Sequence, residues 1–188
     1  MTRTLAMALG LALVVTACGK KDEPVVTPTP TQTGSDSSRT QPPPAPTTDP
    51  DAARRAAEAE AERIRAGLMN EMASMIHFGL DQYSVRTEDQ ALLNRKAEIM
   101  RANAAVRIRI VGHADERGSD EYNLALGMRR ATAAKDYLVR LGIEAGRVEV
   151  ASLGEEVPLN ASATEEAWAM NRRGEFEVIA GNQTLRAP

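Results

Sequence analysis

One strand–loop–helix unit does most to constrain how this chain can fold. From Val106 to Val111 apolar and basic residues alternate, with Val106, Ile108 and Ile110 on one side and Arg107 and Arg109 on the other. That period of two is the mark of a half-buried strand. Gly112 closes the strand, and Gly118 leads to Ser119, which is placed to cap a helix. The helix is predicted to turn Leu124, Met128, Ala131, Ala134, Leu138 and Leu141 to the core and to end at Gly142. Further elements surround this unit. Met75 to Phe78 reads as a short strand, and Thr87 with Gln90 as a capping box for a helix carrying Leu92, Leu93, Ala97 and Met100. Val148 and Val150 mark another strand, and Phe176 with Val178 a last one. The order predicts an α/β two-layer sandwich, with helices packed on one side of a mixed β-sheet.

The rest of the chain divides by composition. Residues 1–17 read as a signal peptide, with Arg3 before the apolar run from Leu5 to Val15, which is too short to anchor stably as a bilayer span. Val15-Thr16-Ala17-Cys18 resembles a bacterial lipobox, which implies cleavage before Cys18 and acylation of that residue. Cys18 is the sole cysteine, so no intrachain disulfide can form. Several acyl chains on one residue hold a membrane far better than one chain alone. Gly19 stands where some bacteria place an Asp as an inner-membrane retention signal, which favours the outer membrane. Residues 18–50, rich in Pro, Thr and Ser, lack the apolar residues for a core and read as a disordered tether. Residues 51–73 read as a helical spacer, N-capped by Asp49 with Pro50 at the first helical position, and with Ile64, Leu68 and Met72 as a narrow apolar stripe. That helix either docks on the domain or stands off it. Residues 74–182 form the expected domain, and 183–188 a tail. A net charge of −3 and an aromatic content of 3% argue against nucleic acid as a partner.

The loop after the central strand carries the chemistry. Asp115 lies between Gly112 and Gly118, at a strand's C-terminal end, where ligands commonly bind in layered α/β folds. On the next helix Asn123 and Arg130 are seven positions apart and share a face. Leu126 and Gly127 lie between them, and the small Gly127 leaves room for a ligand to approach. Arg130 offers a planar fork suited to a carboxylate, and Asp115 offers acceptors to an ammonium. Two readings stay open from spacing alone: a clamp for a zwitterion, or a salt bridge between Asp115 and Arg130 themselves.

Four stretches together, HFGLDQY (77–83), GHADERG (112–118), EYNLALGMRRA (121–131) and NRR (171–173), resemble the OmpA-like domain family. The HADERG opening, the lipobox and the tether are similar to its peptidoglycan-associated lipoprotein branch. The resemblance runs from about Ile76 to Ile179. It implies that Asp115 and Arg130 hold meso-diaminopimelate of the peptidoglycan stem peptide, and that Asp81 borders the ligand, alongside Asn123 and Leu126. It also implies an outer-membrane lipid anchor at Cys18, a periplasm-facing domain, and a Tol-system periplasmic β-propeller protein as partner in envelope maintenance and cell division. Leu80, Ser84 and Val111 depart from the branch's usual Phe, Asp and Glu.

Other chemistries find little support. His77 and His113 lack companions at metal-ligand spacing, and no nucleophilic triad is signalled, so no metal or cofactor is expected. Glu116 and Arg117 read as solvated loop charges, and Arg172 and Arg173 as structural or general anion contacts. The favoured class is a non-enzymatic tether between membrane and wall. The alternatives are an envelope scaffold whose main partner is another protein, and a peptidoglycan hydrolase.

Overall fold

The computed structural model describes residues 49–188; the signal segment, Cys18 and the tether through residue 48 lie outside the described residues. Helix α1 spans Pro50–Ala73, followed by strand β1 (Ile76–His77), helix α2 (Thr87–Ala102) and strand β2 (Arg107–His113). Helix α3 (Asp120–Arg140), strand β3 (Val148–Gly154), the short helix α4 (Glu165–Asn171) and strand β4 (Arg173–Ala180) complete the domain. The mixed sheet runs β1-β4-β2-β3, with β2 and β3 parallel and the other pairs antiparallel. The two-layer α/β expectation holds.

Strand β2 is central, and its alternation is met on both faces. Ile108 and Ile110 are buried in the core with Val148, Phe176, Leu138 and Met100. Arg107 and Arg109 lie on the other face with Glu149 and Glu177, at N–O distances of 3.3–3.6 Å. These half-exposed ion pairs contribute little each, about 0–1 kcal/mol, but they keep that face of the sheet wet.

Helix α3 corrects its predicted core face. Ser119 caps it as expected, accepting from the Tyr122 amide at 3.3 Å, but Leu124 and Met128 are 51% and 40% exposed. The buried face runs instead through Asn123, Leu126, Gly127, Arg130, Ala131, Ala134 and Leu138. The cause is a backbone-on-backbone crossing of α3 over β2. A Cβ on Gly112 would lie 1.8 Å from the Gly127 carbonyl oxygen, and one on Gly127 would lie 2.3 Å from Ser152 Oγ. Only two glycines permit that approach, so Gly127 makes room for β2 rather than for a ligand. Resting there, the helix turns Asn123 and Arg130 inward and Leu124 and Met128 outward.

Two caps differ from expectation. Thr87 is the first residue of α2, and Arg86 is the cap residue, whose side chain makes no capping bond to the helix backbone. The first turn is tied instead by Asp89, which accepts from Arg86 Nε at 2.8 Å and from the His77 amide at 3.3 Å, a carboxylate favoured at a helix N-terminus. Helix α4 was not expected; Thr164 caps it by accepting from the Ala167 amide.

The C-terminal part of α1 docks. Leu68 and Met72 are buried in the core, while Ile64 is exposed. Each buried side chain contributes about 1.5–3 kcal/mol by leaving water. Lys96 donates to the carbonyls of Glu71 and Met72 at 2.8 and 2.6 Å, placing a cation at the helix end where intrahelical donors run out. Asp49 caps the other end, accepting from the Asp51 amide at 3.0 Å. The residues read as a tail include Leu185, which is buried in the core, and Arg186, which exchanges bonds with Asn103 at 2.9 and 3.0 Å. No helix among the described residues is long and apolar enough to cross a membrane.

Candidate functional site

Asp115 follows β2 by two residues, in a loop that ends at Gly118, whose φ of +123° lies in the region glycine favours. Its carboxylate is buried and ringed by donors. Oδ1 accepts from the Arg117 amide at 3.2 Å and from Arg117 Nε at 3.1 Å. Oδ2 accepts from Arg117 Nη2 at 2.8 Å and from Arg172 Nη1 at 3.1 Å. Burial pushes the Asp115 pKa up, but the bonds from Arg117 and Arg172 outweigh it and hold the carboxyl below its ordinary range. Arg117 is therefore not a free loop charge. Its guanidinium also lies 3.4 Å from Glu165 and 4.1 Å from the centre of the Trp168 ring. Glu116 is likewise engaged, accepting from Trp168 Nε1 at 3.1 Å.

Arg130 is fully buried. It donates from Nε to the Gln82 carbonyl at 2.8 Å, from Nη1 to that of His113 at 2.7 Å and from Nη2 to that of Gly79 at 3.0 Å. Burial lowers its pKa to about 10, with Asp115 and Asp81 pulling it back up, so it stays charged at neutral pH. Asp115 and Arg130 thus have separate partners, and the direct salt bridge that spacing allowed does not form. A guanidinium carries five N–H bonds. Three are spent on carbonyls, which fix the plane, and two remain.

Asp81 sits in the turn after β1 with φ of +54°, a left-handed conformation that Asp tolerates better than most residues. Its carboxylate accepts from the Tyr122 hydroxyl. Asn123 donates to the Arg117 carbonyl at 3.3 Å and to the Glu155 carboxylate. Leu126 is buried between them in sequence. The structure gathers all five predicted residues, Asp81, Asp115, Asn123, Leu126 and Arg130, along one pocket. Leu80, Arg117 and Tyr122 also line it. Sequence reasoning missed Arg117 and Tyr122, and it missed Arg172 as the second cation on Asp115.

His113, at the end of β2, is packed under this site with neither ring nitrogen hydrogen-bonded; Glu175 lies 3.7 Å away. Burial, reinforced by Arg173 and opposed by Glu175, lowers its pKa from 6.5 to about 4. The unfolded chain then binds more protons between about pH 6.5 and 4. The stability owed to a neutral His113 is complete above pH 6.5 and is lost as pH falls to 4. The expected loss is at most about 3 kcal/mol. Melting curves should fall more steeply with acid in the wild type than in His113→Gln; parallel curves would contradict this. Among the described residues no group of three or more His, Cys, Asp and Glu is placed to hold a metal.

Known proteins match this domain. The OmpA family matches residues 77–172. The peptidoglycan-associated lipoprotein of Pasteurella multocida is 39% identical over 105 residues, covering 56% of this chain and 70% of the relative. That of Rhizobium meliloti is 45% identical over 106 residues, covering 56% of this chain and 60% of the relative. The crystal structure of the peptidoglycan-associated lipoprotein from Burkholderia pseudomallei superposes with a TM-score of 0.54 at 41% identity, covering 54% of this chain and 86% of that one. The chain belongs to the OmpA family, and within it to the group of the peptidoglycan-associated lipoproteins.

Proposed function

We propose that this protein is a non-enzymatic outer-membrane lipoprotein that binds the diaminopimelate-containing stem peptide of peptidoglycan. It thereby ties the membrane to the cell wall. The observation that carries the reading is a single pocket lined by the carboxylates of Asp81 and Asp115 and the guanidinium of Arg130. meso-Diaminopimelate bears an ammonium and a carboxylate on one carbon at its distal end. The ammonium meets acceptors at Asp115 and Asp81, and the carboxylate meets the two N–H bonds that Arg130 has left. Leu126 and Leu80 offer apolar contact to the methylene chain between the two ends of the amino acid. The names of the relatives support the same reading.

Cys18 supplies the lipid anchor in this account, supported by the lipobox-like residues before it. Replacing Cys18 with Ser is expected to release a soluble periplasmic protein or leave an uncleaved precursor. Undiminished palmitate labelling of that variant would contradict the assignment. A Tol-system periplasmic β-propeller protein as partner in cell division extends the proposal, and its support is the family grouping. Co-purification after crosslinking in cells tests it.

Incubation with purified sacculi tests the binding function. A binder sediments with the wall and leaves its muropeptides unchanged. Release of soluble muropeptides would establish a hydrolase instead, and failure to sediment would favour a scaffold for another protein.

A further inference from the structure

An ionised carboxylate accepts about four hydrogen bonds, two on each oxygen. Asp115 already has four: the Arg117 amide, Arg117 Nε, Arg117 Nη2 and Arg172 Nη1. A ligand ammonium cannot join this carboxylate unless one of the donors leaves. The Arg117 amide is held by the loop. Arg172 is buried and also bonded to the Phe78 carbonyl at 3.2 Å and to Glu165 at 2.8 Å. The Arg117 side chain alone is substantially open to water, at 33% exposure. It also occupies one position on each oxygen, so its withdrawal opens two adjacent places on the same carboxylate.

We propose that the Arg117 side chain is a displaceable occupant of the ligand's ammonium position, leaving Asp115 for Glu165 and Trp168 when the ligand binds. The inference rests on the zwitterion reading of the site given above. A destination is at hand. Arg117 Nη1 lies 3.4 Å from Glu165 Oε2, and the guanidinium stacks 4.1 Å from the Trp168 ring centre. That ring is steadied by its bond to Glu116. The exchange replaces one cation on Asp115 by another, so the buried carboxylate never stands without its charge partners. It also confers selectivity. A simple amine gains on Asp115 only what Arg117 gives up. A ligand that brings a carboxylate to Arg130 at the same time gains a second contact that offsets the displacement.

The test is calorimetry on the full chain with a stem tripeptide ending in meso-diaminopimelate, and with the same peptide acetylated on its distal amine. Arg117→Gln removes the competitor and retains a chain that packs on Trp168. It is expected to bind the free-amine peptide about three- to tenfold more tightly than wild type, as befits a half-exposed ion pair that no longer has to be broken. The acetylated peptide, which displaces nothing, should bind both proteins equally weakly. Trp168 is the only tryptophan, so its fluorescence should change on binding in the wild type and much less in Arg117→Gln. Arg117→Ala provides a second variant should the first fold poorly. Equal or weaker binding by both Arg117 variants, with binding lost in Asp115→Asn, overturns the displacement and leaves the site reading intact. Unchanged binding in Asp115→Asn overturns the site reading, and the displacement with it.

Discussion

Replacing Asp115 with Asn is expected to reduce affinity for a diaminopimelate stem peptide by about 2–5 kcal/mol, close to thirtyfold at the lower end. The variant keeps the shape and loses the charge. Arg117, Arg172 and Arg130 would then stand around the position meant for an ammonium, with Asp81 left in the pocket and Glu165 paired to Arg117 and Arg172. The repulsion adds to the lost bonds. Folding should survive, because Arg172 keeps Glu165 and the Phe78 carbonyl as partners. Calorimetry beside a circular dichroism melt separates the two effects. Wild-type affinity in folded Asp115→Asn would remove this residue from the site.

Arg130 should show a different pattern, because it both holds the fold and faces the ligand. Arg130→Ala leaves the carbonyls of Gln82, His113 and Gly79 without the donor that joins them. Each buried acceptor left unpaired costs about 1–3 kcal/mol. Only the His113 bond is fully buried, the other two partly so, but the cavity left by a fully buried side chain adds to the loss, so this variant is expected to melt well below the wild type. Arg130→Lys keeps the charge, but its compact ammonium cannot span three carbonyls and a bound carboxylate. It should fold with a lowered melting temperature and lose at least about tenfold in affinity, or 1.4 kcal/mol. An Arg130→Lys protein with native stability and native affinity would show that the fork geometry does no work.

The β2–α3 unit was legible because both elements are long and strongly periodic, and its capping by Ser119 was legible for the same local reason. The rotation of α3 was not. Leu124 and Met128 have the spacing of a core face, and only the contact between Gly112 and Gly127 turns them outward. Hydrophobic spacing carries no record of a backbone crossing between two elements. The site shows the same division. Asp115, Asn123, Leu126 and Arg130 come from one continuous stretch. Arg172 reaches Asp115 from 57 residues away, through a helix of seven residues. The signal for that helix was present in Thr164 followed by Glu165 and Glu166, a capping residue before an acidic first turn. Arg117 was misread because neighbouring loop residues usually point apart, whereas here the turn folds its side chain back two positions onto Asp115. Tyr122 stayed hidden because its partner Asp81 is 41 residues away.

The central claim is that one pocket reads an ammonium and a carboxylate carried on the same carbon. Lysine is diaminopimelate without the distal carboxylate, so two stem tripeptides differing only in that residue isolate the contact with Arg130. The decisive measurement is their affinity for the wild-type chain by calorimetry. The account predicts that the lysine peptide binds about a hundredfold more weakly or worse, since it leaves the remaining N–H bonds of a buried guanidinium unpaired. Equal affinity for the two peptides would contradict it.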